Sequence, residues 1–334
     1  MRVLLVSPGF HGYHSAIAAA FAARGHTVST AVYDDHGGPV GRTWHQLRHQ
    51  LPHRLGAGDL RRLAREESLA AVAAVRQAGP EAVVVVKGDT LGADFWDSIA
   101  GLPRVTWLYD EVRRTRWSLD HLSTVGPVAT YSAHDDSTFG AAGIDSRHLP
   151  LAYDHRLVPS PSPRRSTEVT LVGARYPARE QVLLALQERG VRVRAHGRDW
   201  SGHPVDRLRT WRVSTPAVDA GRDLSRAAAY DVMAASLATL NLHGDQDGFT
   251  MRTFEAAGVG AVELIDRDDV AGLYEPGVEV LPWTTHDELA DLCRRAASDS
   301  AWSDTVRAAA RRRTLAEHTF DHRIAVLEDS WDTA

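Results

Sequence analysis

Leu237-Ala-Thr-Leu-Asn-Leu-His243, followed three residues later by Asp247-Gly-Phe-Thr-Met-Arg-Thr-Phe-Glu255, is the stretch on which the fold turns. The first run reads as a buried strand. The second is a Gly-containing turn that opens into a helix, continued by Phe254-Glu-Ala-Ala-Gly-Val-Gly-Ala261 with side chains small enough for close packing. Strand, turn and helix in this order form the repeating unit of an open α/β sheet, which binds ligands beyond the carboxyl ends of its strands. A helix start there offers unpaired amides and a positive dipole end to a phosphate. Two carboxylates flanking it, Asp247 and Glu255, suit sugar hydroxyls, so the stretch implies a nucleotide-sugar site.

The same alternation extends in both directions. At the amino end the pattern predicts a strand over Arg2–Ser7, a loop Pro8-Gly-Phe-His-Gly-Tyr-His14, a helix from Ser15 to Arg24 capped by Ser15 and stopped at Gly25, and a strand over His26–Tyr33. The loop has Gly9 and Gly12 but no third glycine, and no acidic residue stands convincingly where a dinucleotide ribose needs one, which disfavours a nicotinamide enzyme. An amphipathic helix around Leu60–Gln77 and strands at 82–86, 104–109 and 127–131 complete a first parallel series. The Pro- and Ser-rich run Val158–Thr167 reads as a linker. A second series starts at Glu168–Val172 and continues with a helix near Arg179–Arg189, strands at Val191–His196 and Gly260–Ile265, and a helix over Thr285–Ala297. It ends in helix from about Ser303 to Ser330. The expected organisation is a first domain at 1–156, a linker at 157–167, a second domain at 168–312 and a terminal crossover helix at 313–334.

Bulk properties narrow the function classes. A chain of 334 residues, 43% of them hydrophobic, is long enough for two cores. A net charge of -5 argues against a strongly electrostatic nucleic-acid binder, leaving nucleic acid at most as an acceptor. Cys293 is the only cysteine, so intrachain disulfides and zinc clusters of cysteine are excluded and a cytoplasmic location is expected. No apolar run approaches the roughly 18 residues of a membrane span. Lys87 is the only lysine among 38 basic residues and follows the apolar run Ala82–Val86. His45, His49 and His53 have helical spacing but no nearby acid, so no metal site is expected.

Asp247 to Glu255 resembles the Glu, seven residues, Glu signature of retaining glycosyltransferases of the two-Rossmann (GT-B) fold, with Asp in the first place. Arg252–Glu255, Tyr274-Glu-Pro-Gly277 and His318-Thr-Phe-Asp-His-Arg323 are similar to the spore-maturation-protein (CgeB-like) branch, as are Trp107-Leu-Tyr-Asp110-Glu111, Val172-Gly173-Ala-Arg-Tyr-Pro-Ala-Arg179 and Gly197-Arg-Asp-Trp200. These pieces span roughly residues 80 to 325. The resemblance implies an α/β fold with two Rossmann-like domains facing a cleft and a C-terminal helix crossing back to the first. It implies a glycosyltransferase that uses a nucleoside-diphosphate-sugar as co-substrate and needs no cofactor. With no metal site expected, metal independence is expected too.

It also distributes roles. Glu255 would hold the ribose and Asp247 the donor sugar, or Asp247 is simply a turn residue. Phe249, Thr250 and Met251 would offer amides to the diphosphate, beside His243. Arg252 would add charge there, or pair with Glu255. Gly173, Arg175 and Arg179 form a second phosphate-suited turn, unless Arg179 only caps or solvates its helix. In the first domain Lys87 and Asp110 follow strands, and Asp110 could accept the acceptor's proton or form an ion pair. Gly9, His11, Gly12 and His14 would line the acceptor side, or His11 and His14 are ordinary loop histidines among the chain's 17, and residues 36–58 would shape acceptor choice. Two further possibilities are a nucleotide-sugar epimerase of the same fold and a non-catalytic nucleotide-sugar-binding protein.

Overall fold

The structure, a computed structural model, describes residues 1–34, 60–160, 165–211 and 214–331. His45, His49, His53, the stretch 36–58 and part of the expected linker, 161–164, lie outside the described residues. The chain divides into two compact units. One comprises Met1–Pro150 with the chain from Phe320 onward, the other Leu151–Thr319.

The first unit is a parallel sheet of β1 (Arg2–Ser7), β2 (Thr27–Val32), β3 (Ala82–Val86), β4 (Arg104–Leu108), β5 (Val128–Thr130) and β6 (Ser146–His148), in the order β2-β1-β3-β4-β5-β6. The connecting helices are α1 (Tyr13–Ala23), α2 (Leu60–Ala78), α3 (Ala93–Ser98), α4 (Leu119–Leu122) and α5 (Ala133–Ala141). β3 is one alanine and four valines, all buried, because a central strand covered on both faces needs branched apolar side chains throughout. The chain's last helix, Phe320–Asp329, joins this unit. Its Glu328 takes Arg24 at 2.5 Å and His26 at 2.7 Å, and Trp331 stacks on Phe21 with ring centres 5.6 Å apart.

The second unit repeats the design with β7 (Val169–Val172), β8 (Val193–His196), β9 (Ala220–Gly221), β10 (Ala238–Asn241), β11 (Glu263–Ile265) and β12 (Leu281–Pro282), all parallel, in the order β12-β11-β10-β7-β8-β9. Its helices are α6 (Pro177–Glu188), α7 (Pro204–Thr210), α8 (Arg226–Ala235), α9 (Met251–Gly258), α10 (His286–Ser298) and α11 (Ser300–Glu317). α9 lies deep in this unit, and the small residues of its sequence explain why: a Cβ on Gly258 would come within 2.4 Å of the buried Tyr153 ring.

Two local expectations are corrected. Ser15 does not cap α1. The helix starts at Tyr13 behind Gly12, which takes the left-handed conformation at φ 69° and lets the chain turn into the helix two residues early. The terminal helix is broken at His318–Thr319, where His318 leaves helical geometry, its carbonyl accepts the Tyr153 amide at 2.8 Å and its ring bonds the Leu273 carbonyl at 2.9 Å.

The two strand orders place one crevice in each unit. In the first unit the winding reverses between β1 and β3, and in the second between β7 and β10. At such a reversal the loops after the two strands diverge and leave a crevice at the carboxyl edge.

Candidate functional site

The crevice of the second unit is formed by the loop after β7, from Gly173 to Tyr176, and the loop after β10, from Leu242 to Thr250. Arg179 ties the two together. Its guanidinium donates to the Ala174 carbonyl at 3.1 Å and to the Leu242 carbonyl at 2.6 Å, with its plane over Tyr176, so it neither caps α6 nor lies free in solvent. Burial lowers its pKa. Gly173 meets Gly197, the start of another segment singled out in the sequence. A Cβ on Gly197 would fall 2.4 Å from the Gly173 carbonyl oxygen, which also accepts the Trp200 indole N–H at 2.9 Å. The Gly197-Arg-Asp-Trp200 segment thus supports the Gly173 turn from behind. Arg175 is buried, forked onto Glu180 at 2.8 and 3.0 Å, and donates to the Ser214 carbonyl.

Under the second loop lies a buried polar network. The Asp266 carboxylate accepts the His243 amide at 2.9 Å, the Gly244 amide at 3.2 Å and the His243 ring Nδ1 at 3.0 Å. Burial works to raise the Asp266 pKa, but these hydrogen bonds outweigh it and hold the group below its ordinary value. The other ring nitrogen of His243 reaches Thr253 Oγ1 at 3.2 Å. Asn241 donates to Thr253 and to Glu263, each at 2.8 Å. Glu263 is fully buried and its Oε2 has no hydrogen-bond partner among the described residues; burial pushes its pKa up to about 8, so it is held neutral at pH 7. The network fixes the strand end and the helix start against each other.

α9 begins at Met251 behind Thr250, whose side chain makes no capping hydrogen bond. Glu255 is fully buried and pairs with Arg252 at 2.7 Å, one turn earlier. Phe249 is held edge-on to His243, with ring centres 5.4 Å apart, and under the Arg267 guanidinium at 4.1 Å. Arg267 also donates to the Gln246 carbonyl at 3.0 Å and to the Asp247 carbonyl, and pairs with Asp269. Asp247 is half-buried at the turn.

In the first unit, the crevice between β1 and β3 brings Gly9, His11, Gly12 and His14 to the end of one strand and Lys87 to the end of the next. Lys87 Nζ pairs with Asp110 Oδ2 at 2.6 Å and lies 5.9 Å from the Phe10 ring centre. Lys87 has φ 63° and His11 φ 49°, a region that costs a side-chain-bearing residue roughly 1–2 kcal/mol. The Lys87 conformation is held by its own amide, bonded to the Trp107 carbonyl, and by the Trp117 indole on its carbonyl, each at 3.0 Å. The Gly9 amide donates to Asp34 at 2.5 Å.

Sequence reading passed over Asp34, Asn241, Glu263, Asp266 and Arg267. Asp34, Asp266 and Arg267 do carry a signal, since each stands within two residues of a strand's carboxyl end. Cys293 is buried, and burial pushes its thiol to about 12, so it is no nucleophile. Among the described residues no group of three or more His, Cys, Asp or Glu is arranged to hold a metal ion, and no helix is long and apolar enough to cross a membrane.

No protein of curated function matches the chain in sequence. Among solved structures, HepE of Anabaena in complex with UDP-glucose is 15% identical, with all of both chains covered and a TM-score of 0.66. Sucrose-phosphate synthase of Thermosynechococcus elongatus is 14% identical over all of this chain and 98% of that one, with a TM-score of 0.65. A UDP-GlcNAc 2-epimerase of Neisseria meningitidis, bound to UDP-GlcNAc, is 9% identical over all of both chains, at a TM-score of 0.59. At these identities the likeness is one of fold, two Rossmann-like domains of the GT-B kind. In sequence, residues 175–329 match the family model described as glycosyl transferase-like. Over Arg175 to Asp329 the chain is thus similar to the glycosyl transferase-like family, and its fold is of the GT-B kind.

Proposed function

We propose that the protein transfers a sugar from a nucleoside-diphosphate-sugar to a hydroxyl acceptor, with retention of anomeric configuration, as a member of the CgeB-like branch. The observation that carries this is the convergence of the two candidate donor loops, 173–176 and 242–250, at the strand-order reversal of the second unit, with the uncapped start of α9 between them and the family match over the same unit. The diphosphate lies at the amides of Phe249, Thr250 and Met251, where the helix dipole favours its charge. Arg252, the second residue of the helix, is the nearby cation. Glu255 takes the ribose by exchanging its Arg252 partner for two hydroxyl donors, which frees that guanidinium for phosphate. Asp247 orients the donor sugar.

The chemistry asks for little beyond positioning and charge. As the bond from the anomeric carbon to the phosphate oxygen breaks, the acceptor oxygen attacks from the same face and its proton passes to the departing phosphate oxygen. The first unit supplies the acceptor contacts, with Asp110 orienting the hydroxyl, Lys87 fixing Asp110, and Gly9, His11, Gly12 and His14 alongside. Turnover is expected to survive a chelator, and the protein to work in the cytoplasm.

The test is thermal stabilisation by a panel of nucleoside diphosphates and their sugars. UDP comes first, because HepE and the epimerase were solved with uridine nucleotides. A ligand at 100 times its Kd stabilises by about 2.7 kcal/mol. A base-selective shift that shrinks in Glu255→Gln is the expected result, followed by an acceptor screen with that donor. If no nucleotide shifts the transition, the proposal is wrong. Isomerised sugar without an acceptor would mark an epimerase, and binding without any product a sensor.

A further inference from the structure

The second unit has another opening, at the opposite edge of its sheet. A cavity of about 690 Å³ lies where α8 runs into β10 and α9 into β11, lined by Ala234, Ala235, Val259 and Gly260 on one side and by α11 on the other. Those residues precede β10 and β11, so this is the amino edge, remote from the crevice that holds His243 and Phe249. The charged lining is Arg165, Arg307, Arg311 and Arg312 against the single carboxylate of Asp304, a formal charge of +3 (four less one).

Part of that charge is structural. Arg307 is buried and donates to the Ser236 and Leu237 carbonyls at 3.2 and 2.6 Å, closing the end of α8, while Arg165 donates to the Ala234 carbonyl at 3.2 Å and to Asp304 at 3.4 Å. The carboxyl ends of α8 and α9 point at the cavity and offset roughly half a charge each. Roughly two positive charges remain. The next carboxylate along, Asp231, is taken by the amide and hydroxyl of Ser160. Arg311 and Arg312 have no hydrogen-bonded or ion-paired partner among the described residues, and the buried Nε of Arg307 has no hydrogen-bond acceptor. Burial first, and the neighbouring Arg165 charge second, bring the Arg307 pKa down to about 10.

The volume falls within the roughly 300–1,000 Å³ of small-molecule sites. A forked guanidinium matches two oxygens of a phosphate. We propose that this pocket binds a phosphate-bearing small molecule, gripped by Arg311 and Arg312 over the fixed charge of Arg307, as a second ligand site separate from the donor crevice.

Inorganic pyrophosphate is the probe. Each arginine is followed by its rate of modification by phenylglyoxal, mapped by peptide mass spectrometry, at increasing pyrophosphate and in sodium chloride of matched ionic strength. Saturable protection of Arg311 and Arg312 by pyrophosphate and not by chloride is expected. Removing one fork should shift protection of the other to about tenfold higher pyrophosphate in Arg311→Ala. Equal rates with and without pyrophosphate, or the same protection by chloride, would overturn the proposal. Protection of Arg252 reports the donor crevice independently, so either site can fail alone.

Discussion

The two crevices occupy the same place in two sheets of the same design, yet they are built by opposite means. In the first unit the strand ends carry side chains in left-handed backbone at His11 and Lys87, and a half-exposed ion pair between Lys87 and Asp110. In the second unit, among the described residues of the crevice loops, no side-chain-bearing residue has positive φ. There the loops are fixed from below by a buried network of Asn241, His243, Thr253, Glu263 and Asp266, and from the side by the contact of Gly173 with Gly197. One site stores its geometry as backbone strain held by neighbours, the other as desolvated hydrogen bonds. On the proposed function, a nucleotide has many fixed polar contacts to meet, which a buried network would specify, and an acceptor hydroxyl needs one or two groups aimed correctly, which a strained turn would supply.

The largest expected effect breaks the network and comes from Glu263. Its pKa is raised in the fold, from 4.5 to about 8, so its proton stabilises the native state fully below pH 4.5 and that stability is lost as pH rises through 8. Glu263→Gln keeps the oxygen that accepts from Asn241 and removes the titration. The variant should match the parent near pH 4.5 and exceed it above pH 8 by a margin of at most about 5 kcal/mol, read from chemical denaturation at several pH values. Asp266 has the opposite sign. Its pKa is lowered, so it stabilises above about 3.8 and the benefit disappears as pH falls further; Asp266→Asn should flatten the acid limb only. Parallel pH profiles for parent and Glu263→Gln would mean that the buried carboxyl is not held neutral.

Next in size is the contact of the two glycine turns. Gly197→Ala places a methyl group 2.4 Å from the Gly173 carbonyl oxygen, where backbone and not a flexible side-chain tip must move. A loss of about 1–3 kcal/mol is expected, together with weaker nucleotide binding because the Gly173 turn shifts. Gly12→Ala in the other unit meets nothing within 4 Å and is opposed only by its φ of 69°, so its loss should be nearer 1 kcal/mol. Equal losses at the two positions would erase the distinction between packed and strained turns.

How much of this was legible in the sequence follows from the same physics. β3 was readable to the residue, because five apolar residues between polar ones leave no other register. The loops after β7 and β10 were readable as loops because glycine and polar residues follow an apolar strand in each. Strand order was not, since nothing in a strand's composition names its neighbour, and it is strand order that places residues 173–176 beside 242–250. The short strand β6, Ser-Arg-His, has no apolar pattern at all and owes its place to pairing with β5. The partners of charged residues were equally hidden. Arg175 looked suited to phosphate, and only the fold shows Glu180 forked against it.

The smallest expected effect is at Lys87, and it sharpens the comparison most. If left-handed backbone at the first crevice is strain retained for function, Lys87→Gly should relieve it. Glycine adopts φ 63° without the clash of a Cβ, a gain of roughly 1 kcal/mol, while the half-exposed pair with Asp110 that is lost contributes between about 0 and 1 kcal/mol. The variant should therefore be as stable as the parent or slightly more so, and at the same time lose transfer to the acceptor with nucleotide binding unchanged. Lys87→Ala keeps the strain and loses the pair, so it should be less stable than Lys87→Gly by about the strain energy. If the two variants are equally stable, the left-handed turn at the end of β3 costs nothing, and the strain ascribed to the first crevice is absent.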